Sequence, residues 1–360
     1  MSDPLLLYGA TGYTGGLILG EMLRRGLRPL LSGRNEAALA SLASKHGLEY
    51  RVARLDDAGQ LDRALQGVHV TLHAAGPFAE TCLPMLGACL RNRVHYLDIT
   101  GELPVFEMIS QRNGDARRNA IMMMPGVGFD VVPSDCLAAH VARLLPGANR
   151  LTLAIRGLST ATRGSTKTLI QHAGLDLTMR RNGELVHVAP GSVVRQFNFG
   201  DGPEPCVSVP WGDVTAAYFS TGIPNIEVYF DATPMRQALM ATSRYFGWLL
   251  RLPVWQTWLK TYTEFFPDEP LALEPTVRPM RLIAEVEDAA GRRVRSLLQT
   301  PEAYRFTAVV AARIAQRVLA GDFEAGFQTP SRVYGADFVL GFEGVLRQDF
   351  PQAHGPGEES

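Results

Sequence analysis

A short apolar strand that opens into a glycine-rich turn constrains this chain more than any other feature. Leu5-Leu6-Leu7-Tyr8 runs into a G-x-x-G-x-x-G segment, and after it the apolar residues recur at helical spacing as far as Gly26. Glycines let a backbone approach a ligand closely, and the N–H groups at a helix start favour an anion. The pattern predicts a nucleotide site, although its glycine spacing is one residue longer than the usual dinucleotide fingerprint. The residues predicted to bind the nucleotide are Gly9, Thr11, Gly12, Tyr13, Thr14 and Gly15.

The end of the next strand indicates which dinucleotide to expect. NAD-specific sites carry an acidic residue about 20 positions beyond the glycines, whereas this chain has Ser32 and Arg34 at that corner. A hydroxyl and a guanidinium suit a 2′-phosphate. We therefore expect NADP rather than NAD and include Asn35 in the site; alternatively, Arg34 merely precedes a helix that Asn35 caps.

The first 148 residues predict a doubly wound parallel sheet, because six strand-like runs alternate with helical ones. The third run ends at Asp56-Asp57, where Asp56 is a candidate for the adenine edge and either aspartate is a candidate helix cap. The fourth run ends in small residues at the carboxyl edge of the sheet, where such folds hold their ligand. These residues are Ala75, Gly76 and Pro77.

Three polar residues are candidates for proton transfer. Asp98 follows the fifth strand, and Asp130 lies in a glycine-flanked loop after the sixth, where we expect the two domains to meet. Lys167 lies in a polar loop that enters the second half. Glu102, four residues after Asp98, shares that candidacy, and its alternative is to pair with a basic neighbour or start a helix. The alternatives for the other two are an aspartate that bonds its own turn and a lysine on the surface at a helix N-terminus.

The second half, residues 149–350, predicts a domain with a mainly antiparallel sheet and added helices. Strand-like runs follow one another without crossover helices, and the runs on either side of Asp288-Ala289-Ala290-Gly291 resemble a hairpin. The polar stretch 351–360 predicts a flexible tail. The predicted strands include Leu151–Arg156, Val193–Phe199, Ala216–Ser220 and Ile226–Phe230.

Composition excludes several classes of function. The 360 residues carry a formal net charge of −1, so no basic field favours nucleic acid. The four cysteines lack metal-ligand spacing, and we expect no metal site. They instead indicate small buried side chains in a reducing compartment, which predicts a cytoplasmic protein.

One tryptophan-rich stretch, Tyr245–Leu259, is too short and too interrupted to span a bilayer. Its mixture of tryptophan, leucine and basic residues is compatible with peripheral contact at a membrane surface. A buried helix pair or a homodimer surface explains the same pattern and is the favoured interpretation.

Several stretches together resemble the saccharopine dehydrogenase-like oxidoreductases, including the trans-acting enoyl reductases. The resemblance covers the first half and more loosely the second, and its order along the chain makes it specific. It rests on Tyr8–Gly15, Ser32–Asn35, Ala75–Phe78, Tyr96–Glu102 and Gly128–Asp135, then on Pro210–Asp213, Ser220–Pro224 and Gly326–Pro330.

The resemblance implies an NAD(P)-binding domain and a substrate domain. Saccharopine itself is not expected as the substrate, because its carboxylates call for clustered arginines and none is evident. We expect hydride transfer between NADP(H) and a small, largely apolar carbonyl, imine or enoyl compound. The alternative is an NADP-binding sensor or accessory protein without turnover.

Overall fold

The computed structural model describes residues 4–157, 177–188, 194–232 and 279–353. The chain forms two compact units. The first consists of Met1–Val132 and Ala303–Val333, and the second of Pro133–Glu302 and Tyr334–Ser360. The helices predicted near residues 166–173 and 235–250, and the tryptophan-rich stretch, lie outside the described residues.

The first unit is built on a parallel sheet whose first six strands lie in the order 6-5-4-1-2-3. The central strand is buried along its whole length, as expected for a parallel strand covered on both faces. This confirms the predicted doubly wound sheet. The strands are β1 (Leu5–Tyr8), β2 (Leu30–Gly33), β3 (Tyr50–Val52), β4 (Val70–His73), β5 (His95–Asp98) and β6 (Met122–Met124).

Helices connect these strands, and their ends follow local chemistry. The second helix begins after Asn35, whose side chain accepts from the Ala38 N–H, and it ends at Gly47 in the left-handed conformation with φ 62°. The helices are α1 (Tyr13–Arg24), α2 (Glu36–His46), α3 (Ala58–Ala64), α4 (Phe78–Asn92), α5 (Leu103–Ser110) and α6 (Asn113–Arg118).

The second unit begins with helix α7 (Val132–Leu144) and contains a mixed, mainly antiparallel sheet. Within the described residues, β7 (Arg150–Arg156) and β12 (Asn225–Asp231) pair in parallel. The predicted hairpin is confirmed as β13 and β14, which pair from Met280 with Thr300 to Glu287 with Arg293. The strands are β7 (Arg150–Arg156), β8 (Leu177–Arg181), β9 (Glu184–Val188), β10 (Val194–Asn198), β11 (Pro203–Ser208), β12 (Asn225–Asp231), β13 (Met280–Glu287) and β14 (Arg293–Thr300).

The strand predicted at residues 216–220 was wrong. This segment belongs to helix α8 (Asp213–Thr221), which ends at Gly222 with φ 72°. The hydroxyls of Ser220 and Thr221 donate to carbonyl oxygens one turn back in the helix. The glycine cap at the helix end outweighs the strand preference of the aromatic pair Tyr218-Phe219.

After β14 the chain returns to the first unit. Helix α9 (Ala303–Leu319) packs along α1, and strand β15 (Gly326–Phe327) adds a seventh parallel strand beside β6. Helix α10 (Pro330–Tyr334) follows, and β16 (Leu346–Ala353) then pairs with β14 in the second sheet. Strand β16 includes three of the ten residues predicted as a flexible tail.

Candidate functional site

The glycine loop after β1 is folded so tightly that a side chain cannot replace its third glycine. Gly9 has φ 89°, and its N–H donates to the Ser32 carbonyl at 2.9 Å. The Gly12 N–H donates back to the Gly9 carbonyl at 3.1 Å. A Cβ on Gly15 would lie 2.1 Å from that same carbonyl oxygen. The predicted loop glycines are therefore brought together in one backbone turn.

The helix that follows this loop starts without a capping side chain. Its N-cap is Gly12, and the first turn of α1 contains no acidic residue. Thr11 and Gly12 are exposed, while Tyr13 and Thr14 are half-buried. A helix N-terminus that offers N–H groups and a positive dipole end without an acid of its own is suited to an anion. The loop therefore fits the pyrophosphate of a dinucleotide.

The small residues at the end of β4 adjoin the glycine loop. A Cβ on Gly9 would lie 3.0 Å from the Ala75 Cβ, so the two turns approach each other closely. The Thr81 hydroxyl is within hydrogen-bond distance of the carbonyl oxygens of Ala75 and Pro77, at 2.8 and 3.0 Å. Gly76 between them is exposed. Ala75, Gly76 and Pro77 thus lie beside the glycine loop at the same edge of the sheet.

Ser32, Arg34 and Asn35, the residues predicted to lie near the 2′-phosphate, have different surroundings in the structure. Arg34 is exposed, and within the described ranges it forms no ion pair. The Ser32 hydroxyl is buried and donates to the Arg51 carbonyl at 2.8 Å, so it serves the sheet. Asn35 caps α2. Arg34 is therefore an exposed guanidinium at this corner, whereas the Ser32 hydroxyl and the Asn35 side chain make hydrogen bonds within the fold.

The two aspartates after β3 also have different roles. Asp57 caps α3 by accepting from the Gln60 N–H at 2.9 Å. Asp56 is exposed and forms a two-point ion pair with Arg54, with distances of 3.0 and 2.8 Å. Asp57 is therefore the helix cap, and the contact of Asp56 with the adenine stays a prediction.

Arg54 is a second guanidinium at this corner that the sequence analysis missed. Burial raises the pKa of the Tyr8 hydroxyl, while the charges of Arg34 and Arg54 lower it and that of Asp56 raises it. The charges of Arg34, Asp56 and Arg54 thus all act on the phenol at the end of β1. The signal in the sequence was an arginine two residues before Asp56.

Two carboxylates near the centre of this edge are committed to backbone groups. Glu102 accepts from the N–H groups of Phe78 and Ala79 at 3.0 and 2.8 Å, and thereby caps α4. Asp98 is fully buried and accepts from the Tyr96 hydroxyl at 2.8 Å. It also accepts from the backbone N–H groups of Thr100 and Gly126, both at 3.0 Å.

Burial raises the pKa of Asp98 to about 6, although these hydrogen bonds lower it. Its geometry joins the loop after β5 to the loop after β6, where its backbone carbonyl also accepts from the Val127 N–H at 2.7 Å. This arrangement favours the structural alternative for Asp98 over proton transfer.

Asp130 is another candidate for proton transfer. It is partly exposed in the turn after β6, and burial raises its pKa to about 7, with a further contribution from the negative charge of Glu102. A carboxyl group with such a pKa is protonated in a substantial fraction of molecules at neutral pH, so it can give or take a proton.

His73 at the end of β4 was also missed. It is fully buried, its Nε2 lies 3.1 Å from the Thr81 hydroxyl, and its ring packs against Tyr8 and Phe78. Burial lowers its pKa to about 3. The ring is therefore neutral at physiological pH and supports the turn from beneath.

A family profile described as "Saccharopine dehydrogenase NADP binding domain" matches residues 5–123, from β1 into β6. This part of the chain is therefore similar to the NADP-binding domain of saccharopine dehydrogenases. The match covers the glycine loop, the Arg34 corner and the turns after β4 and β5, which are the parts of the site described above.

Two curated relatives of the chain are named "Trans-acting enoyl reductase". The one from Mycobacterium ulcerans is 29% identical over 147 residues, which are 39% of this chain and 35% of that protein. The one from Mycobacterium leprae is 30% identical over 139 residues, 36% of this chain and 33% of that protein. The chain therefore spans about a third of the length of the curated relatives it matches.

A solved structure confirms the fold of the chain. Apo histidine-tagged saccharopine dehydrogenase (L-Glu forming) from Saccharomyces cerevisiae aligns with a TM-score of 0.64 over 96% of this chain and 99% of that one. Its sequence identity is 10%, so the likeness concerns the fold alone.

Two sequence predictions concern residues outside the described ranges. They are the role of Lys167 and that of the tryptophan-rich stretch Tyr245–Leu259. Within the described ranges, no helix has the length and apolar character needed to cross a membrane. The four cysteines are described, and all are buried and free, as composition predicted.

Proposed function

We propose that this saccharopine dehydrogenase-like protein is an NADP-dependent oxidoreductase that reduces or oxidises a small, largely apolar carbonyl, imine or enoyl compound. The observation that carries the proposal is the loop from Gly9 to Gly15, which is closed to side chains and leads into an uncapped helix start. The relatives' name favours an enoyl group among the three acceptors.

The chain's own residues would divide the work as follows. The glycine loop would hold the pyrophosphate, Ala75 to Pro77 would line the adjoining wall, and Arg34 would bind the 2′-phosphate that distinguishes NADP from NAD. When bound, the cofactor supplies or accepts a hydride. The protein must then place the acceptor, exclude water, and move one proton.

Asp130 is the residue we assign to that proton. Its carboxyl group has a pKa of about 7 and lies in the loop after β6, at the edge of the sheet that carries the glycine loop. A general acid or base works best when its pKa is near the operating pH. Asp98 and Glu102 accept backbone hydrogen bonds that hold the loop after β5, the loop after β6 and the start of α4.

The experiment follows NADPH absorbance with a panel of enoyl, imine and keto compounds and compares the wild type with Asp130→Asn. We expect the variant to bind NADPH normally but to turn over an accepted substrate about 100 to 10,000 times more slowly. Normal turnover by Asp130→Asn would contradict the assignment.

The same variant has an expected pH signature in stability. Because the folded-state pKa of Asp130 is raised to about 7, well above the ordinary value of about 3.9, the folded state binds the proton more tightly than the unfolded state. The free energy of unfolding of the wild type should therefore fall relative to Asp130→Asn as the pH rises from about 4 to about 7. Parallel urea titrations at these pH values measure the difference.

A second candidate is an NADP-binding sensor or accessory protein. It is favoured by the occupation of Asp98 and Glu102 in backbone hydrogen bonds, which reduces the number of available proton carriers among the described residues. A sensor would bind NADPH tightly and change conformation without consuming it. Limited proteolysis with and without NADPH would report that change.

A further inference from the structure

One turn of α9 contacts two loops of the proposed cofactor site. The ring of Tyr304 packs edge-on against the ring of Tyr13, with centroids 5.3 Å apart and planes at 84°. Three residues later, the Thr307 hydroxyl accepts from the Phe129 N–H at 2.9 Å. Residues three apart on a helix lie on the same face, so a single rigid surface meets both loops.

The second of these contacts is closely packed. A Cβ on Gly128 would lie 2.8 Å from the Thr307 Cγ2, so glycine is required beside the threonine. Phe306 and Phe129 are both almost fully buried and pack edge-on, with centroids 6.5 Å apart. The turn that carries Asp130 is therefore held against α9 on the side of Phe129.

The first contact concerns the start of α1. Tyr13 is the residue that follows the N-cap Gly12 and belongs to the loop proposed to hold the pyrophosphate. The aromatic pair fixes this residue to α9, whose inward face is anchored by buried Val310, Ala311 and Ile314. Such anchoring limits the movement of the turn relative to the sheet.

We propose that Tyr304 and Thr307 are positioning residues for the nicotinamide half of NADP(H). By contacting Tyr13 and Phe129 from one helical turn, they set the separation between the pyrophosphate loop and the loop of Asp130. This inference rests on the proposed function and deepens it. It assigns a role in the cofactor site to a segment about 290 residues distant in the sequence from the glycine loop.

The test compares two ligands. NADPH engages the whole site, whereas adenosine 2′-monophosphate carries the adenosine and 2′-phosphate that belong at the Arg34 corner. NADPH affinity is followed by its fluorescence on binding, and the monophosphate by displacement of NADPH and by calorimetry. The ratio of the two dissociation constants reports on the nicotinamide half separately from general stability.

Tyr304→Ala should weaken NADPH by about three- to tenfold, the scale of one aromatic pair, and leave adenosine 2′-monophosphate within about twofold. Tyr304→Phe keeps the ring and should resemble the wild type. Thr307→Val, which is isosteric but leaves the Phe129 N–H without its acceptor, should weaken NADPH in the same selective way, and Thr307→Ser should restore it. Arg313→Ala, an exposed change on the same helix, is the matched control.

Equal loss of both ligands, or unchanged NADPH binding in both Tyr304→Ala and Thr307→Val, would overturn the inference and leave α9 a purely structural helix. Should Tyr304→Ala fail to fold, the isosteric Thr307→Val decides the question. Failure of the proposed function is distinguishable, because the wild type itself would then not bind NADPH.

Discussion

Two helices that start at the same edge of the first sheet differ in how their first N–H groups are capped. Helix α4 receives a carboxylate from within the chain, since Glu102 accepts from the N–H groups of Phe78 and Ala79. Helix α1 begins at Gly12, which offers no capping side chain, and it has no acid in its first turn. Both helices follow central strands, β4 and β1, which are neighbours in the sheet.

The difference indicates which of the two helix starts is suited to bind an anionic ligand. The first N–H groups of any helix need an acceptor and favour a negative charge. At α4 the protein supplies that charge itself. At α1 the loop is instead shaped by glycines so that an outside group can approach. The comparison therefore locates the proposed pyrophosphate site at α1 and assigns Glu102 a capping role.

The largest expected effect comes from closing the loop at α1. In Gly15→Ala the new methyl group would lie 2.1 Å from the Gly9 carbonyl oxygen, so the loop must open. We expect NADPH binding to weaken by at least about 100-fold, corresponding to about 3 kcal/mol, as measured by calorimetry. Gly16→Ala is the matched control, because its Cβ would meet only the Ala10 carbonyl at 3.9 Å. Similar binding by both variants would contradict the role of the loop.

Removing the charge at the adenosine corner should have the next largest effect. Arg34→Ala is expected to cost NADPH about 1.5 to 3 kcal/mol, the scale of a charged hydrogen bond, and to leave NADH almost unchanged. Competition titrations with both nucleotides measure this. Equal losses for NADPH and NADH would refute the assignment of the 2′-phosphate to Arg34.

The built-in cap of α4 is tested by Glu102→Gln. An amide cannot accept from both N–H groups, so the free energy of unfolding in urea should fall by about 1 to 2 kcal/mol, while NADPH affinity stays within about twofold. Loss of the Glu102 charge should also lower the pKa of Asp130, which that charge raises. Glu36→Gln, at an exposed helix start, serves as control. A large loss of NADPH affinity without loss of stability would place Glu102 in the ligand site instead.

The smallest effect is expected at Ser32. Its hydroxyl donates to the Arg51 carbonyl, so Ser32→Ala should cost at most about 1 kcal/mol of stability. The preference for NADPH over NADH should not change in parallel titrations. A marked fall in that preference would show that the hydroxyl reorients toward a 2′-phosphate.

Local patterns were sufficient to predict the first sheet and its ligand edge. Most of the six strands are short, largely apolar runs that end at a glycine, proline or polar turn, and α1 and α2 show helical spacing with glycine near their ends. The glycine loop was predicted for the same reason: its conformation is dictated by residues that are adjacent in the chain.

Contacts between distant segments were not predictable in this way. Strand β15 has only two residues, Gly326 and Phe327, so it is too short to show the alternating pattern that predicts a strand. The roles of Asp56 and Asp57 depend on which of two identical side chains the backbone turns toward α3. The hydrogen bond from the Ser32 hydroxyl to the Arg51 carbonyl depends in the same way on a distant contact, the pairing of β2 with β3.

The central claim is that the loop from Gly9 to Gly15, with Arg34, binds NADP(H). Calorimetric titration of the purified chain with NADPH and with NADH tests it most directly. The account predicts one NADPH per chain, bound at least about tenfold more tightly than NADH, in line with a charged contact to the 2′-phosphate. Binding of neither nucleotide would contradict the proposed site, and equal binding of both would contradict its NADP preference.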